Sequence, residues 1–347
     1  MNAVVVPRHG GAEVLSLVKD FPDPAPRPDE VVVRVAATTV NQMDLLVRNG
    51  YPNRAIPLPH IPGGDVVGTV EWVGAEVSGV EPGRRVVVYP LIACGICSHC
   101  RSGREHLCAN WQTIGIHRHG GYGELVAVPG RNVIPLPEEV PFTTAAALPV
   151  AGLTAYHALM SVGRVREGEL AVIWGSTGGV GSMALQIAKR AGARVAAIVS
   201  SPERKKAAEQ MGADYVLDRS LAEMGAEVRR IAPDGADLVF DSIGAGTVPV
   251  SLGMLANGGR LLCCGILSGR EARLNVHALY FHHLSIHGLF LGSREDMREV
   301  ISLTARGELM PLIDRVLPME KASEGHRLLE TGGQIGKIVL TPGRETQ

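Results

Sequence analysis

The spacing of apolar and polar residues changes near residue 150. Before it, short Val-rich runs separated by Gly and Pro predict strands over 30–37, 65–72 and 83–89. After it, apolar runs alternate with stretches of helical periodicity, and the predicted strands are 170–174, 193–199, 214–217, 236–241, 260–264 and 284–289. Strands and helices in alternation are typical of a doubly wound parallel sheet. We therefore predict an α/β fold in which an all-β region precedes a parallel sheet.

The pattern changes again in the last part of the chain. Helices are predicted there over 294–306 and 321–331, and strands over 313–317 and 336–340. Such a mixed segment is able to return to the first domain. The long uncharged run over 140–163 is broken by two prolines and a glycine, so it predicts two short buried helices and not a membrane span.

Length and composition describe an ordinary globular enzyme. A chain of 347 residues favours two domains. A formal net charge of -1 gives no reason to expect nucleic acid or an anionic membrane as a partner. The N-terminal sequence lacks a basic start followed by a long apolar segment, so we expect no signal peptide. The six cysteines are then expected to be reduced thiols in the cytoplasm.

A glycine-rich loop joins the predicted strand 170–174 to the helix that follows it. Glycines in this context allow a tight turn, a close approach of pyrophosphate to the backbone, and close packing of helix on strand. The free N–H groups and the helix dipole then face the phosphates. The loop lacks the Lys-Ser/Thr ending of a P-loop, so a dinucleotide is favoured over a triphosphate, and a glycine turn without a ligand is the alternative. The candidate contacts are Gly175, Ser176, Thr177, Gly178, Gly179, Val180 and Gly181.

The residues after the second strand of this unit bear on the choice of dinucleotide. An NAD site normally offers a carboxylate there to the ribose hydroxyls. This chain offers Ser200, Ser201 and Arg204, with Arg219 further on, and these side chains attract a 2′-phosphate. NADP is therefore favoured over NAD. The alternative is that Ser201 is a helix N-cap followed by Pro202 and that the basic residues form a solvated face, and both readings can hold together.

Four cysteines lie within 15 residues, at positions Cys94, Cys97, Cys100 and Cys108. A short loop with this spacing can wrap around one Zn²⁺ ion, and four thiolates leave no coordination position for water or substrate. We therefore predict one structural zinc per chain. Reduced thiols without a metal and an iron–sulfur cluster are the alternatives. The remaining pair, Cys263 and Cys264, lies in an apolar run and is expected in the core.

The combination resembles the medium-chain dehydrogenase/reductase superfamily along nearly the whole chain. The cysteine lobe and the glycine loop, in this order, carry most of the resemblance, and the other matching stretches are 63–68, 120–124, 148–156, 241–244 and 336–340. The resemblance implies a GroES-like catalytic domain formed by 1–150 and 291–347, and a Rossmann NAD(P)-binding domain formed by 151–290. It also implies a homodimer or homotetramer that covers the apolar strand near 284–291. The implied further cofactor contacts are Thr154, Ser242, Gly265 and Lys337.

The chain departs from the alcohol dehydrogenases at the positions that hold their catalytic zinc. The matching positions here are Asn41, Gly64 and Val150, and none is a thiolate or imidazole ligand. The chain resembles the quinone oxidoreductase and enoyl reductase branch in Asn41 and in Gly50-Tyr51-Pro52, although it keeps the structural zinc lobe that many members of that branch lack. That branch implies hydride transfer from NADPH to an activated alkene, enone, enoyl thioester or quinone without a catalytic metal. Asn41 and Tyr51 are the candidate catalytic residues, as polar groups that face the substrate.

Each of these interpretations has an alternative. Asn41 can be a turn residue that bonds its own backbone, and Tyr51, in Gly50-Tyr51-Pro52, can serve packing alone. A zinc alcohol dehydrogenase with ligands from His60 or His157, or an inactive dinucleotide-binding protein, is the alternative function. Asp44 and Asp65 are expected in a buried network. Interface or core roles, with a proton donor as the alternative, are expected for His117, His119, His282, His283 and His287.

Overall fold

A computed structural model describes residues 1–51, 55–220 and 223–343. The chain forms two compact units. The first comprises 1–150, 293–307 and 313–347, and the second comprises 151–292 and 308–312. The sequence predicts 291–292 and 308–312 as parts of the first domain. The structure places them in the second because their side chains and backbone bond there, for example through the amide of Gln186, which binds both N and O of Met310.

The strands are numbered in chain order. They are β1 Ala3–Val5, β2 Ser16–Val18, β3 Glu30–Thr39, β4 Val67–Val73, β5 Arg85–Val88, β6 Leu91–Ile92, β7 Gln112–Thr113, β8 Leu125–Pro129, β9 Val133–Pro135, β10 Leu170–Trp174, β11 Arg194–Val199, β12 Tyr215–Asp218, β13 Ala236–Asp241, β14 Leu255–Cys263, β15 Ser285–Gly288, β16 Ile313–Pro318 and β17 Lys337–Thr341.

The helices follow the same order. They are α1 Gln42–Asn49, α2 Ser98–Arg101, α3 Phe142–Ala145, α4 Leu153–Tyr156, α5 Gly179–Arg190, α6 Pro202–Gln210, α7 Met224–Ile231, α8 Val248–Met254, α9 Val276–Phe281, α10 Arg294–Ala305 and α11 Ala322–Thr331. Short 3₁₀ turns cover Ala12–Val14, Glu105–Leu107, Gly130–Asn132 and Met319–Lys321, and π turns cover Leu148–Gly152 and His157–Val162.

The second unit is built on a six-stranded sheet whose order is β12-β11-β10-β13-β14-β15, and every pair in it is parallel. All five residues of β10 are buried, as expected for a central strand covered on both faces. The strand order reverses between β10 and β13, which is where open α/β sheets bind their ligands. The predicted Rossmann-type fold is confirmed.

The first unit is built on a seven-stranded sheet of order β16-β17-β3-β4-β5-β9, with β8 paired to the other part of β3. Its Val-rich strands bury one face in a core that includes Val33, Val66, Val86 and Val126. The C-terminal strand β17 pairs antiparallel with the end of β3, at Val339 and Thr39. This pairing returns the end of the chain to the first domain, as the sequence predicted.

The uncharged run near the middle of the chain differs from its prediction. Helical structure extends through Phe142–Val162, since Pro149 is accommodated in a π turn and does not end the helix. By length and composition alone this helix is able to cross a membrane, but 72% of its most apolar window is buried inside the protein. It is a core helix.

Candidate functional site

The glycine loop of the second unit lies at the carboxyl end of β10, beside the reversal of strand order. Gly175 adopts a φ of +60°, and the N–H of Gly178 donates to its carbonyl oxygen at 2.9 Å. A Cβ atom on Gly181 would lie 2.1 Å from the same oxygen. The tight turn and the close helix packing therefore both require glycine. Helix α5 begins directly after Gly178 and directs its first N–H groups at the loop.

Polar side chains surround this loop. Ser176 is fully buried and donates to the carbonyl oxygen of Ile198, and Thr177 is 1% exposed. Arg204 extends from α6 to the loop, where its Nη1 donates to Thr177 Oγ1 at 2.9 Å. The guanidinium thus lies at the loop that is predicted to hold the phosphates. Ser200 and Arg219 are exposed.

Ser201 also has the alternative role that the sequence predicts for it, as the N-cap of α6. Its hydroxyl accepts from the N–H of Arg204 at 3.3 Å, so it is the N-cap of α6, with Pro202 at the first position. One acidic residue near this loop is not indicated by the local sequence pattern. The strand register places Asp218 opposite Val199, so a carboxylate ends the adjacent strand β12 and bonds to Ser220. Only the register between β11 and β12 reveals this neighbour.

The ends of β13 and β14 complete the loop's surroundings. Ser242 and Gly265 follow these strands, and a Cβ on Gly265 would lie 1.8 Å from the carbonyl oxygen of Ser242. The Ser242 hydroxyl oxygen lies 3.6 Å from the Cβ position of Gly175. Asp241 is buried and accepts from the backbone N–H groups of Ile243 and Gly244, which fixes this turn. Thr154 is also buried in the second unit.

The four lobe cysteines of the first unit come together as predicted. Their Sγ atoms all lie within 4.8 Å of one another. Cys100 Sγ lies 3.8 Å from Cys94 Sγ and 3.4 Å from Cys97 Sγ, and a tetrahedral site with Zn–S bonds of about 2.3 Å needs separations of about 3.8 Å. Hydrogen bonds from the backbone N–H groups of Ile96 and Cys97 lower the pKa of Cys94 to about 6, which favours its thiolate. The cluster fits a structural zinc.

Asp65 joins the parts of the first unit that surround Asn41. One carboxylate oxygen accepts from the backbone N–H of Val150 at 2.8 Å. The other accepts from Asn41 Nδ2 at 2.8 Å, from the Thr39 hydroxyl, and from Lys337 Nζ at 3.4 Å. Asp65 is completely buried. Its carboxylate is therefore fully satisfied by hydrogen bonds, as expected for a buried network.

The positions predicted to match the zinc ligands of alcohol dehydrogenases lie around this carboxylate. Asn41 and Val150 both donate to Asp65, and the Cβ position of Gly64 lies 3.6 Å from a Val150 methyl carbon. None of the three side chains is a thiolate, imidazole or carboxylate, the groups that bind Zn²⁺ in proteins, and the Asn41 amide oxygen already accepts from Lys337 at 2.6 Å. Within residues 1–51, 55–220 and 223–343, the cysteine cluster is the one group of three or more potential ligands. These residues do not fit a catalytic zinc.

A second buried chain of hydrogen bonds starts at Asp44. Its carboxylate accepts from the backbone N–H groups of Asn41 and Gly63 and from the Tyr122 hydroxyl at 3.5 Å. Tyr122 also bonds His326 Nε2 at 3.1 Å, and His326 Nδ1 bonds Arg48. Because a guanidinium only donates, Nδ1 of His326 accepts and Nε2 donates to Tyr122. Both predicted carboxylates therefore lie in buried networks.

Burial lowers the pKa of His326 and raises the pKa of Asp44. The two shifts have opposite effects on how the free energy of unfolding changes with pH. Loss of hydration lowers the pKa of His326 to about 3, and Arg48 adds to the effect. Loss of hydration raises the pKa of Asp44 to about 7, against its hydrogen bonds from Asn41 and Gly63. Between pH 6.5 and 3, His326 is protonated in the unfolded chain but not in the folded protein. The free energy of unfolding therefore falls as the pH falls through this range. Between pH 3.8 and 7 folded Asp44 keeps a proton that the unfolded chain releases, so stability falls as the pH rises.

We expect His326→Gln and Asp44→Asn to change the pH dependence of unfolding in opposite directions. Each group contributes at most about 1.4 kcal/mol per pH unit within its own range. Urea unfolding of the wild type and both variants at pH 5, 6 and 7 measures the slopes. When the pH is lowered from 7 to 5, the free energy of unfolding of the Gln variant should rise by about 2 kcal/mol relative to that of the wild type. That of the Asn variant should fall relative to the wild type. Parallel curves for all three proteins would contradict the assigned titrations.

Tyr51 follows the C-terminus of α1 and is half-buried. Its ring packs against a small cluster formed by Val47, Ile56 and Ile116, together with Met43. The structure therefore shows the packing contact, and a catalytic role for its hydroxyl stays a prediction. Pro52, which completes the predicted motif, lies outside the described residues.

Four of the candidate histidines form hydrogen bonds within the protein, whereas core or interface roles for His283 and His287 stay predictions. His60 Nε2 bonds the carbonyl oxygen of Gly115 at 3.0 Å, and His119 Nδ1 accepts from the N–H of Ile61. His282 bonds Asn257, and His117 Nδ1 accepts from the N–H of Thr113. Burial raises the pKa of Cys263 to about 11, and also that of Cys264, so both thiols are held protonated.

Comparison with known proteins gives the family. Residues 27–138 match the alcohol dehydrogenase GroES-like domain, and residues 179–306 match the zinc-binding dehydrogenase family. An acryloyl-coenzyme A reductase of Sulfurisphaera tokodaii is 30% identical over 99% of this chain and 100% of its own length. The chain belongs to the medium-chain dehydrogenase/reductase superfamily. It is an oxidoreductase of small molecules with a dinucleotide cofactor.

Other relatives in the superfamily are named for different reactions. The quinone oxidoreductase of Rattus norvegicus is 30% identical over 98% of this chain and 97% of its own length. A solved structure of an NAD-dependent alcohol dehydrogenase is 39% identical, with a TM-score of 0.94 over 99% of this chain and 100% of that one. Acryloyl-coenzyme A reductases, quinone oxidoreductases and NAD-dependent alcohol dehydrogenases are thus all relatives of this chain.

Proposed function

We propose that this protein is an NADPH-dependent reductase that transfers hydride to an activated alkene, enone, enoyl thioester or quinone without a catalytic metal. The proposal rests on one observation, which is that Asn41, Gly64 and Val150 lie close together around Asp65. An alcohol dehydrogenase needs a Lewis acid at this place to stabilise an alkoxide. Here the same place holds amide and ammonium donors.

NADPH supplies a hydride when it is bound, and reduction of a conjugated carbonyl compound then places negative charge on the carbonyl oxygen. Hydrogen-bond donors aimed at that oxygen stabilise the charge. Asn41 Nδ2 carries two N–H groups, of which one is bonded to Asp65. In the proposed site Asn41 uses the other, and Tyr51 is the second candidate donor.

The cofactor is proposed to lie on the second unit, along the carboxyl ends of β10, β11, β13 and β14. The loop N–H groups and the start of α5 hold its pyrophosphate. Arg204, which is bonded to Thr177, and Ser200 hold the 2′-phosphate of NADPH. The proposed contacts are Thr154, Gly175, Ser176, Thr177, Gly178, Gly179, Val180, Gly181, Ser200, Ser201, Arg204, Arg219, Ser242 and Gly265.

Replacement of Arg204 tests the choice of dinucleotide. We expect Arg204→Ala to weaken NADPH binding by about 1.5 to 3 kcal/mol, because a charged hydrogen bond to phosphate is lost. NADH has no 2′-phosphate, so its binding should change little. Fluorescence titration of both dinucleotides measures the difference, and Lys206→Ala, exposed on the same helix, is the matched control. Equal losses for NADPH and NADH would remove Arg204 from the phosphate site.

An assay with a panel of acceptors tests the proposed reaction. Quinones, enones and enoyl thioesters are compared with primary and secondary alcohols in steady state, with and without a chelator. We expect NADPH oxidation by at least one electrophilic acceptor in both conditions. Alcohol oxidation that a chelator abolishes, with no reduction of an electrophilic double bond or quinone, would refute the proposal.

The similarity to an NAD-dependent alcohol dehydrogenase keeps a second candidate function open to test. A zinc alcohol dehydrogenase would need ligands from elsewhere, such as His60 or His157, and would hold two zinc ions per chain. A dinucleotide-binding protein without turnover would bind NADPH tightly and reduce no acceptor. Metal counting identifies the first alternative, and the acceptor panel identifies the second.

We further propose a cytoplasmic homodimer or homotetramer. Strand β15 is the edge of its sheet, and Ile286 on it is 37% exposed. The neighbouring helix α9 exposes Val276, Tyr280 and Phe281. An open apolar edge of this kind is normally covered by a partner. Gel filtration that shows a monomer would contradict this proposal.

A further inference from the structure

The first residue of β17 places an ammonium group inside the first unit. Lys337 is 5% exposed. Its Nζ donates to Asn41 Oδ1 at 2.6 Å, and it lies 3.4 Å from both the carbonyl oxygen of Val40 and Asp65 Oδ2. A buried ammonium bonded to a neutral amide and beside a buried carboxylate is costly to assemble. Packing alone therefore does not account for an ammonium group at this position.

These partners give the Asn41 carboxamide one orientation. An ammonium only donates hydrogen bonds and an ionised carboxylate only accepts them. The amide oxygen therefore faces Lys337 and the amide nitrogen faces Asp65, as the distances of 2.6 and 2.8 Å show. A flipped amide would put its NH₂ group against the ammonium and its oxygen against the carboxylate. Both contacts would be repulsive.

The second N–H of the Asn41 amide makes only a weak hydrogen bond within the first unit. Its acceptor there is Thr39 Oγ1 at 3.5 Å, the limit of a hydrogen bond, and that hydroxyl itself donates to Asp65. Lys337 also offsets the negative charge of Asp65, which would otherwise repel charge that develops on a substrate oxygen next to Asn41. The hydrogen bond to the amide oxygen further polarises the N–H groups of the same amide.

We propose that Lys337 and Asp65 are positioning residues, which orient and polarise the Asn41 carboxamide so that it donates to the substrate oxygen in the transition state. This inference rests on the proposed function, since it assigns how Asn41 acts in that reaction. It also changes the role of Lys337, which the sequence predicted as a cofactor contact. Lys337 acts through Asn41 and does not bind the dinucleotide.

A double-mutant cycle between positions 337 and 41 tests the proposal. The proteins are the wild type, Lys337→Met, Asn41→Ala and the double variant, with exposed Lys19→Met as the control. For each, kcat is measured with the best electrophilic acceptor, the Kd for NADPH by fluorescence titration without acceptor, and the unfolding midpoint in urea. We expect Lys337→Met to lower kcat at least tenfold in the wild type and less than twofold in Asn41→Ala, with the Kd for NADPH changed less than twofold in both.

Lys337→Met leaves the Asp65 carboxylate without its counter-charge, which can prevent folding. Lys337→Arg retains the charge but changes the geometry at the Asn41 oxygen. We expect this variant to fold, to lower kcat several-fold only when Asn41 is present, and to keep the Kd for NADPH. This coupling separates positioning from a purely structural role, which would lower the unfolding midpoint and affect both backgrounds equally.

Two other outcomes would overturn the inference. A Kd for NADPH that rises tenfold in Lys337→Met, with multiplicative effects on kcat in the double variant, would make Lys337 a cofactor ligand. Equal kcat losses in both backgrounds would make it a structural residue. If the wild type reduces no acceptor of the panel, the proposed function fails and this inference fails with it. If the wild type is active and the coupling is absent, only this inference fails.

Discussion

Gly181→Ala is expected to abolish dinucleotide binding and to lower the free energy of unfolding by about 3 kcal/mol. A Cβ at this position would lie 2.1 Å from the carbonyl oxygen of Gly175, 2.7 Å from its carbonyl carbon, and 3.0 Å from the Cα of Ser176. All three are backbone atoms of the turn, so no side chain can move to make room. The start of α5 would have to shift away from β10, and the loop N–H groups would no longer converge on a phosphate.

Gly253→Ala is the matched control for this experiment. Gly253 lies in α8 and is exposed, and apart from its chain neighbours and the adjacent backbone of its own helix no atom lies within 4 Å of its Cβ position. An alanine there should be neutral or stabilise the protein by up to about 1 kcal/mol, since glycine is unfavourable inside a helix. Urea unfolding and NADPH titration of both variants give the comparison. Similar stability and binding in the two variants would show that the loop tolerates a side chain and does not hold the cofactor as described.

Cys100→Ser is expected to release the structural zinc and to unfold the cysteine lobe. Three thiolates would remain, and a serine hydroxyl does not replace the fourth. Zinc binding contributes about 10 to 16 kcal/mol in small domains that depend on it, so the loss of the ion removes most of what orders a short loop. Glu105 in the lobe also forms a salt bridge with Arg294, and Arg131 donates to the carbonyl oxygen of Ala93, directly before the lobe. We therefore expect the lobe to unfold locally while the two sheets persist.

Elemental analysis and hydrogen exchange measure this change. Zinc content should fall from one ion per chain to nearly none, and amides over 94–108 should lose their protection. Cys263→Ser is the control, because this half-buried cysteine lies in β14 and outside the cluster. Full zinc content in Cys100→Ser, or iron in place of zinc in the wild type, would show that the metal site has been assigned wrongly.

The parts of the molecule that were predictable from sequence are those that local patterns determine. The strand β10, the glycine loop and α5 follow from an apolar run, a set of glycines and a helical period that are contiguous in the chain. The cysteine spacing likewise predicts the observed cluster. In each case one short segment contains all the residues that the structure brings together.

The rest depended on contacts between distant segments. The bond between Lys337 and Asn41 joins residues 296 positions apart, and no local pattern indicates that β17 returns its first side chain to the start of α1. Strand β14 begins at Leu255 and not at Arg260, because Leu255 pairs with Ala236 of β13 before a break in register, and pairing resumes at Arg260 opposite Leu238. The helix over Phe142–Val162 continues past Pro149 since a π turn accommodates the missing N–H group.

Zinc content and turnover, measured on the same purified sample, test the central claim most directly. The account predicts one zinc ion per chain and NADPH-dependent reduction of an enone, enoyl thioester or quinone at a rate that a chelator does not change while the lobe retains its ion. Two zinc ions per chain, with alcohol oxidation that disappears when the second is removed, would contradict it.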